Sequence, residues 1–469
     1  MTVAVDAVLK GLQVAEHELL LFAAFWLIVS AIDELAIDLA WLGMKATGRL
    51  AEPRITAMDE QRELSGKAAV LVPAWHEAEV IEHMIRYTLG AWPQRDYTLY
   101  IGCYANDAET MAAAVKGCGG DRRARIVVHD AEGPTTKADC LNRLYAALSH
   151  DEARRGFRYR SVILHDAEDM PHPAELSLID RGLSSSSFVQ LPVRPELLDS
   201  KQWIAGHYAD EFTEAHAKAM VVRDAIGAGI PAAGVGCGFA REKLAELAAG
   251  RALEGGEGPF ASECLTEDYE LGLSLSRGGS VGRFLRCRDQ YGELVATRAF
   301  FPATLDEAVR QKTRWVHGIA FQGWDRLGWS GKPVDIWMSF RDRRGPLAAL
   351  VLAAAYCLLI IEAVLGAARL AGWQDALVLS PVVKTMLVVS FTAFAWRALW
   401  RFAFVGREYG LREGVRAVLR IPVANVIAIM AGRRALVAYF RSLRGSAVRW
   451  DKTVHGRYPS AAVREAGAR

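Results

Sequence analysis

A strand-like stretch, Ser161–Leu164, runs into His165-Asp166-Ala167-Glu168-Asp169. In an extended segment, positions 166 and 168 point the same way. Two carboxylates on one side of a strand end make a hard-oxygen site. Mg2+ or Mn2+ takes one or two such carboxylates and completes its shell with phosphate oxygens. An ion held there would neutralise a departing diphosphate. The same pentad also reads as a solvated acidic turn ahead of Pro171 and Pro173. Further on, Leu265-Thr266-Glu267-Asp268 opens a helical pattern, Tyr269–Leu275. Thr266 can cap that helix, with Glu267 and Asp268 favourably placed in its first turn. The chemical alternative makes Asp268 a general base that takes a hydroxyl proton. Gln311-Lys312-Thr313-Arg314-Trp315 follows the helical stretch Leu305–Val309. A guanidinium there can pair with phosphate bidentately, and Trp315 offers a flat face on which rings stack. An amphipathic helix ahead of a membrane segment would carry the same residues.

These groups need elements to hold them. Ala68–Val72 reads as a buried strand ending at Pro73, Leu99–Tyr104 as a second, Arg125–Val128 as a third and Ser161–Leu164 as a fourth. Helical spacing covers Glu77–Leu89, Ala108–Val115 and Lys137–Leu148 between them. Such alternation implies an α/β fold, a mostly parallel sheet with helices on both faces. Ligands in these sheets bind beyond the carboxyl ends of the strands, where the acids of residues 166–169 stand. His207, Tyr208, Asp210, Glu211, Glu214 and His216 also fall at helical spacing. They line an acceptor site or form a solvated face; the solvated face is the expectation for most, with Glu211 left open.

The chain has 469 residues, 52% hydrophobic and 23% charged, with mean hydropathy +0.10. That combination implies apolar ends around a charged centre. A net charge of +2 without a basic, aromatic-interleaved patch gives no nucleic-acid footprint. Seven cysteines without CxxC spacing suit free thiols in a reducing compartment rather than a disulfide framework or zinc site. The first residues lack the basic region of a secretory signal. An apolar run, Leu19–Ile32, continues past Asp33, Glu34 and Asp38 to Gly43. Those acids face protein or mark the interface. Pro346–Gly366 and Ala376–Trp396 are two further spans, with Trp373 between them as an interface anchor. Arg341, Arg343 and Arg344 precede this pair and Arg397, Arg401, Arg407 and Arg412 follow it, while the connector carries Arg369. The positive-inside rule puts the centre and the tail in the cytoplasm. Residues 411–443 read as an amphipathic helix lying in the interface, with a fourth span as the alternative. The organisation expected is therefore a transmembrane segment (1–50), a cytoplasmic domain (51–345), two transmembrane helices (346–406), and an interfacial helix with a tail (407–469).

Each motif is weak alone, but their order is specific. From Ala68 to Trp324 the chain resembles the family 2 glycosyltransferases, the inverting GT-A (Rossmann-like) group that includes cellulose, chitin and hyaluronan synthases. Val70-Leu71-Val72-Pro73-Ala74-Trp75-His76-Glu77 is similar to the family's first strand. Asn106-Asp107 matches its acidic position after strand two, with Asn replacing one acid. The stretch from Thr136 through Lys137 to Asn142 resembles its Lys-Ala-x-x-Leu-Asn segment. Asp166-Ala167-Glu168 matches the DxD motif with Glu second, Thr266-Glu267-Asp268 the TED motif, and Gln311–Trp315 the QxxRW motif. Within the family the overall look is most similar to the phage adsorption protein B type. That likeness rests on residues 164–169, Glu211-Phe212, Asp33-Glu34 and the Trp450-Asp451-Lys452-Thr453-x-His455 tail. Members of that group can carry a cytoplasmic ligand-sensing domain, and a chain ending at Arg469 is expected to lack it.

The resemblance implies a multi-pass protein of a bacterial inner membrane with its catalytic domain in the cytoplasm. Glu77, Asp107 and Lys137 would hold the nucleotide. Asp166 and Glu168 would hold Mg2+ or Mn2+ and the diphosphate, and Asp268 would be the base. Glu267, Gln311, Arg314 and Trp315 would serve the diphosphate and acceptor. Gly236-Cys237-Gly238-Phe239 resembles the family's Cys-Gly segment near the acceptor, although Cys237 also reads as a small core residue. The implied reaction moves a UDP-linked hexose or N-acetylhexosamine to a growing glycan, with the bilayer and envelope export components as partners. The alternatives are single addition to a lipid-linked acceptor, or a non-catalytic scaffold or receptor component of surface-glycan assembly.

Overall fold

The computed structural model describes residues 3–50, 52–197, 203–329, 331–373 and 379–445. The tail residues Trp450, Lys452 and His455 lie outside them.

The strands are β1 (Ala68–Pro73), β2 (Tyr97–Tyr104), β3 (Ala124–His129), β4 (Ser161–Leu164), β5 (Phe188–Gln190), β6 (Val193–Pro195), β7 (Cys237–Ala240), β8 (Gly282–Phe284) and β9 (Thr297–Ala299). Seven form one sheet in the order β3-β2-β1-β4-β7-β5-β8, while β6 and β9 pair as a separate parallel ribbon. Only β7 runs antiparallel to its neighbours, so the sheet is mostly parallel, as expected. Alternation along the strands feeds two cores. Val70, Val72, Leu99, Ile101 and Ile163 face one, and Ala69, Leu71, Tyr100, Val162 and Leu164 face the other. Both faces are covered, which is why these strands read as continuous apolar runs.

The register pairs Pro73 with Gly102 and Leu71 with Leu164. The turns after β1, β2 and β4 therefore leave the sheet along one edge. The helix expected from Glu77 begins only at Ile81. Residues 77–80 form a turn instead, because the Glu77 N–H is taken by Thr110 Oγ1 at 2.8 Å. The helix Lys137–Arg155 starts at Thr136, whose hydroxyl caps Asp139 N–H while the Asp139 carboxylate accepts Thr136 N–H.

Among the described residues, four helices are long and apolar enough to cross a membrane: Val3–Ala46, Gly345–Leu370, Pro381–Tyr409 and Ile421–Ser442. The region expected as one amphipathic helix divides at Arg420. Leu411–Leu419 is short, and Ile421–Ser442 meets the length of a span. The acids of the first long helix face protein. Asp33 accepts Trp337 Nε1 at 2.7 Å and Arg344 Nη1 at 2.6 Å. Asp38 accepts Trp396 Nε1 at 2.8 Å and pairs with Lys218 at 2.7 Å. Buried charges paired in this way avoid the penalty of an exposed charge in lipid.

Candidate active site

A cleft of about 440 Å3 opens beyond the carboxyl ends of β1 and β4. One lip carries Pro73, Trp75, Glu77, Thr136, Lys137, Asp166 and Glu168. Glu267, Asp268, Gln311, Arg314 and Trp315 enter from elsewhere in the chain.

The acids after β4 are not extended. Residues 166–169 form a turn, closed by Asp169 N–H donating to Asp166 O at 3.2 Å. The Asp169 side chain holds that turn, accepting Asp166 N–H at 2.9 Å while bonding His165 Nδ1 at 2.9 Å. On its other side His165 Nε2 meets Glu175 Oε1 at 2.6 Å, and Glu175 Oε2 accepts Thr297 Oγ1 at 2.9 Å. Burial would lower the His165 pKa, but Glu175 and Asp169 outweigh it and push it up. Asp166 and Glu168 thus reach one cleft through a clamped turn rather than a strand face.

Lys137 Nζ lies 2.5 Å from Asp166 Oδ1. Burial would pull this ammonium down; Asp166, Glu267 and Asp268 together raise it. The lip is therefore strongly cation-seeking. Among the described residues no three His, Cys, Asp or Glu side chains converge on a metal position. Two carboxylates at a strand end fit a divalent ion that is bound together with a diphosphate, rather than a bare ion.

Asp268 and Glu267 begin the helix Glu267–Arg277. Thr266 stands at the cap position, but its side chain makes no cap bond. It packs instead on Gly318, where a Cβ would come within 2.4 Å of Thr266 Oγ1. Asp268 Oδ1 accepts Tyr269 N–H at 2.8 Å. Its Oδ2 faces Gly234, at φ +75, where a Cβ would come within 2.6 Å. Burial raises the Asp268 carboxyl, opposed by Lys137. Glu267 is raised by burial and by the Asp268 charge.

Not every expected residue lines the cleft. Asp107 accepts His76 N–H at 2.6 Å and caps the helix Ala108–Cys118 through Thr110 N–H at 3.3 Å. It shapes the turn that carries Glu77, and His76 there adopts φ 53. Asn106 ties to Gly133 in both directions, at 2.8 and 2.9 Å, holding the loop before Lys137. Cys237 and Gly238 lie in β7, buried in the sheet. Gly238 is bare because Ile179 packs on it, where a Cβ would come within 2.2 Å. Burial, then the nearby Asp268, raises the Cys237 thiol. These two residues stand one layer behind the cleft, not in it.

The polar set at 207–216 is not a solvated face. His207, Tyr208 and Asp210 are buried on the helix Trp203–Glu214, which packs against Pro381–Tyr409 and Ile421–Ser442. Asp210 accepts from Arg420 at 2.9 and 2.6 Å, and Glu211 pairs with Lys312. Burial would raise Glu211, but Lys312 outweighs it and holds it at about 2. Neighbouring helices replace water around these groups, which helical spacing alone could not reveal.

Several lining residues carry no expectation from the sequence: Gln190, Met220, Pro231, Ala232, Ala233, Val235 and Phe300-Phe301; Phe212 and His216, the latter expected either at an acceptor site or on a solvated face, also line the cleft. Gln190 Nε2 donates to Leu191 O at 2.8 Å and Val235 O at 2.9 Å, and its Oε1 accepts Ala233 N–H at 2.8 Å. It thus pins the loop that lies against Asp268. No local pattern marks such a role; a polar Gln ending an apolar run, Phe188-Val189-Gln190, is the faint signal.

Asp166 and Glu168, beyond the end of β4, thus share the cleft with Lys137, Asp268 and Arg314. The chain belongs to the glycosyltransferase-like family 2, whose model matches residues 66–318. It is therefore a glycosyltransferase, and its four long apolar helices make it a membrane protein. Among individual proteins it is 32% identical over 459 residues to Bacteriophage adsorption protein B of Escherichia coli (strain K12), covering 92% of this chain and 61% of that protein. Bacteriophage N4 adsorption protein B of Escherichia coli O157:H7 matches with the same identity and coverage. The chain thus spans about three-fifths of the length of these relatives. Glucosyl-3-phosphoglycerate synthase from Mycobacterium tuberculosis, solved with Mn2+ and UDP-glucose, is similar at 16% identity and TM-score 0.35, covering 60% of this chain and 89% of that one. The same enzyme with Mg2+ and UDP gives 18% identity and TM-score 0.33, covering 57% and 82%.

Proposed function

We propose that the protein transfers a sugar from a UDP-sugar, with inversion, to a growing polysaccharide at the cytoplasmic face of a bacterial inner membrane. The observation that carries this reading is the meeting, in one cleft, of residues from four separated segments: Lys137, Asp166 with Glu168, Glu267 with Asp268, and Gln311 with Arg314 and Trp315. A single-site structural role for any one motif would not require the others to converge.

In this reading Glu77 and Lys137 hold the nucleotide end of the donor, with Asp107 shaping the turn beneath. Asp166 and Glu168 would hold Mg2+ or Mn2+ with the diphosphate; bound there, the ion supplies charge neutralisation to the leaving group. Arg314 adds a fixed positive charge from the opposite side, and Trp315 offers the acceptor a stacking face. Asp268 Oδ2, without a hydrogen-bond partner among the described residues, takes the acceptor hydroxyl proton as that oxygen attacks the anomeric carbon. Positioning and charge stabilisation supply most of the rate. The long helices beside the cleft would give the product a route across the bilayer, to export partners in the envelope.

The test uses the full chain in lipid nanodiscs, with a panel of UDP-hexoses and UDP-N-acetylhexosamines and Mn2+ or Mg2+. UDP release is measured and the product is sized. A ladder of long products supports the reading. A single discrete product would replace polymerisation by single addition, and absence of UDP binding by calorimetry would leave a non-catalytic scaffold.

A further inference from the structure

One wall of the cleft enters the chemistry above only through Trp315. The Trp315 and Phe212 rings lie 6.1 Å apart between centroids, Phe212 and Phe301 5.1 Å, and Phe212 and His216 5.3 Å. The wall is apolar except where it ends on His216.

His216 sits in a π-helical turn, Ala215–Ala219, that continues the helix Trp203–Glu214. Such a turn inserts a residue into the helix and re-aims the side chains around it, and it recurs at functional sites. The imidazole Nδ1 meets the Val193 backbone twice, 3.1 Å from its N–H and 3.3 Å from its carbonyl oxygen. The neutral ring carries one proton, so Nε2 donates when Nδ1 accepts from the Val193 N–H and accepts when Nδ1 donates to the Val193 oxygen. Burial keeps the ring neutral, with its pKa down to about 4. The ring is half-buried and lines the cleft, and among the described residues nothing bonds Nε2. His216 therefore presents a neutral ring nitrogen at the end of an aromatic wall.

The chemistry of that group selects its ligand. A diphosphate would be served by a cation, and the cleft keeps Lys137 and Arg314 for that purpose. A neutral ring nitrogen beside stacked rings suits a sugar, whose C–H face lies on aromatics while its hydroxyls donate or accept hydrogen bonds. We propose that His216 is an acceptor-binding residue: its Nε2 hydrogen-bonds a hydroxyl of the acceptor glycan lying on the Trp315–Phe212 wall. The proposal rests on the transferase reading above and adds a residue and a contact to it.

The experiment uses the full chain in nanodiscs, the donor identified by the panel, and the free monosaccharide of that donor as acceptor probe. His216→Ala raises the acceptor KM about tenfold, the size of one neutral hydrogen bond. His216→Gln, whose amide can donate or accept, restores most of that loss. The Kd for UDP with Mn2+ moves less than about twofold in both, since no contact to the donor is removed. An unchanged acceptor KM in His216→Ala, an equal loss in Ala and Gln variants, or a matching rise in the UDP Kd would each overturn the proposal. Should the Ala variant unfold early on heating, His216→Phe, which fills the space without a donor, takes its place in the comparison. A wild-type chain that releases UDP from no donor would instead remove the transferase reading, and the acceptor contact with it.

Discussion

The two sides of the cleft are built differently. The lip proposed to hold the donor stands on the sheet: β1 and β4 end side by side, and Lys137 meets Asp166 within 2.5 Å. Its charges are concentrated at the cleft. The wall proposed for the acceptor stands on helices that pack against apolar spans, and its charges are spent internally. Arg420, 2% exposed, joins Asp210 of the Trp203–Glu214 helix to Glu413 at 2.9 Å. Gly206 lies flat on that guanidinium, where a Cβ would come within 2.7 Å. What remains facing the cleft on this side is mostly aromatic. The contrast teaches that one lip handles charge while the other handles shape.

Breaking the chemistry where the two sides meet has the largest expected effect. Asp268→Asn lowers kcat by about 10³-fold, the middle of the range for a lost general base, and leaves the UDP Kd unchanged. A retained rate of UDP release in the purified variant would remove Asp268 from that role. Next comes the acceptor wall's foundation. Arg420→Ala strands buried Asp210, and breaking such a pair costs about 3–5 kcal/mol of stability. Thermal unfolding should fall, and in any folded fraction the acceptor KM should suffer while the UDP Kd does not. Equal damage to both constants would dissolve the distinction between the two sides.

Asp166→Ala acts on the donor lip alone. It weakens binding of UDP with Mn2+ by about 100-fold, a loss of about 2.7 kcal/mol of charge complementarity. Chelation by EDTA should do the same to the wild type, and calorimetry reads both. The smallest effect sharpens the electrostatics. Asp268 works only when deprotonated, and burial raises its carboxyl. The acid limb of kcat/KM therefore lies above the ordinary aspartate range, and the rate rises with pH through it. Lys137 opposes that shift. In Lys137→Met the limb should move to still higher pH; movement to lower pH would contradict the geometry.

Much of the donor lip was legible because its signals are local. An apolar run, a proline and a polar residue mark each strand end, and the Thr136–Asp139 capping box marks where Lys137 enters. The differences there are local too. Asp107, expected to hold the nucleotide, also caps a helix, and residues 166–168, expected to be extended, are clamped into a turn by Asp169. The acceptor wall was hardly legible. His216 and Asp210 looked like one solvated face, because periodicity shows which residues share a helix side but not what covers that side. Cys237 and Gly238 matched a motif near the acceptor, yet the packing of Ile179 places them behind the cleft.

By itself, the amino-acid sequence determined the alternation that makes a mostly parallel sheet, the long apolar helices, and the residue types able to bind a diphosphate and move a proton. Those follow from short-range patterns of period and spacing, which each segment carries alone. Tertiary structure decided which of those residues face the cleft, that Lys137 neutralises Asp166, and that His216 meets the Val193 backbone through Nδ1 while Nε2 has no bond among the described residues. These depend on contacts between segments far apart in the chain, such as Val193 with His216, and no single segment encodes them.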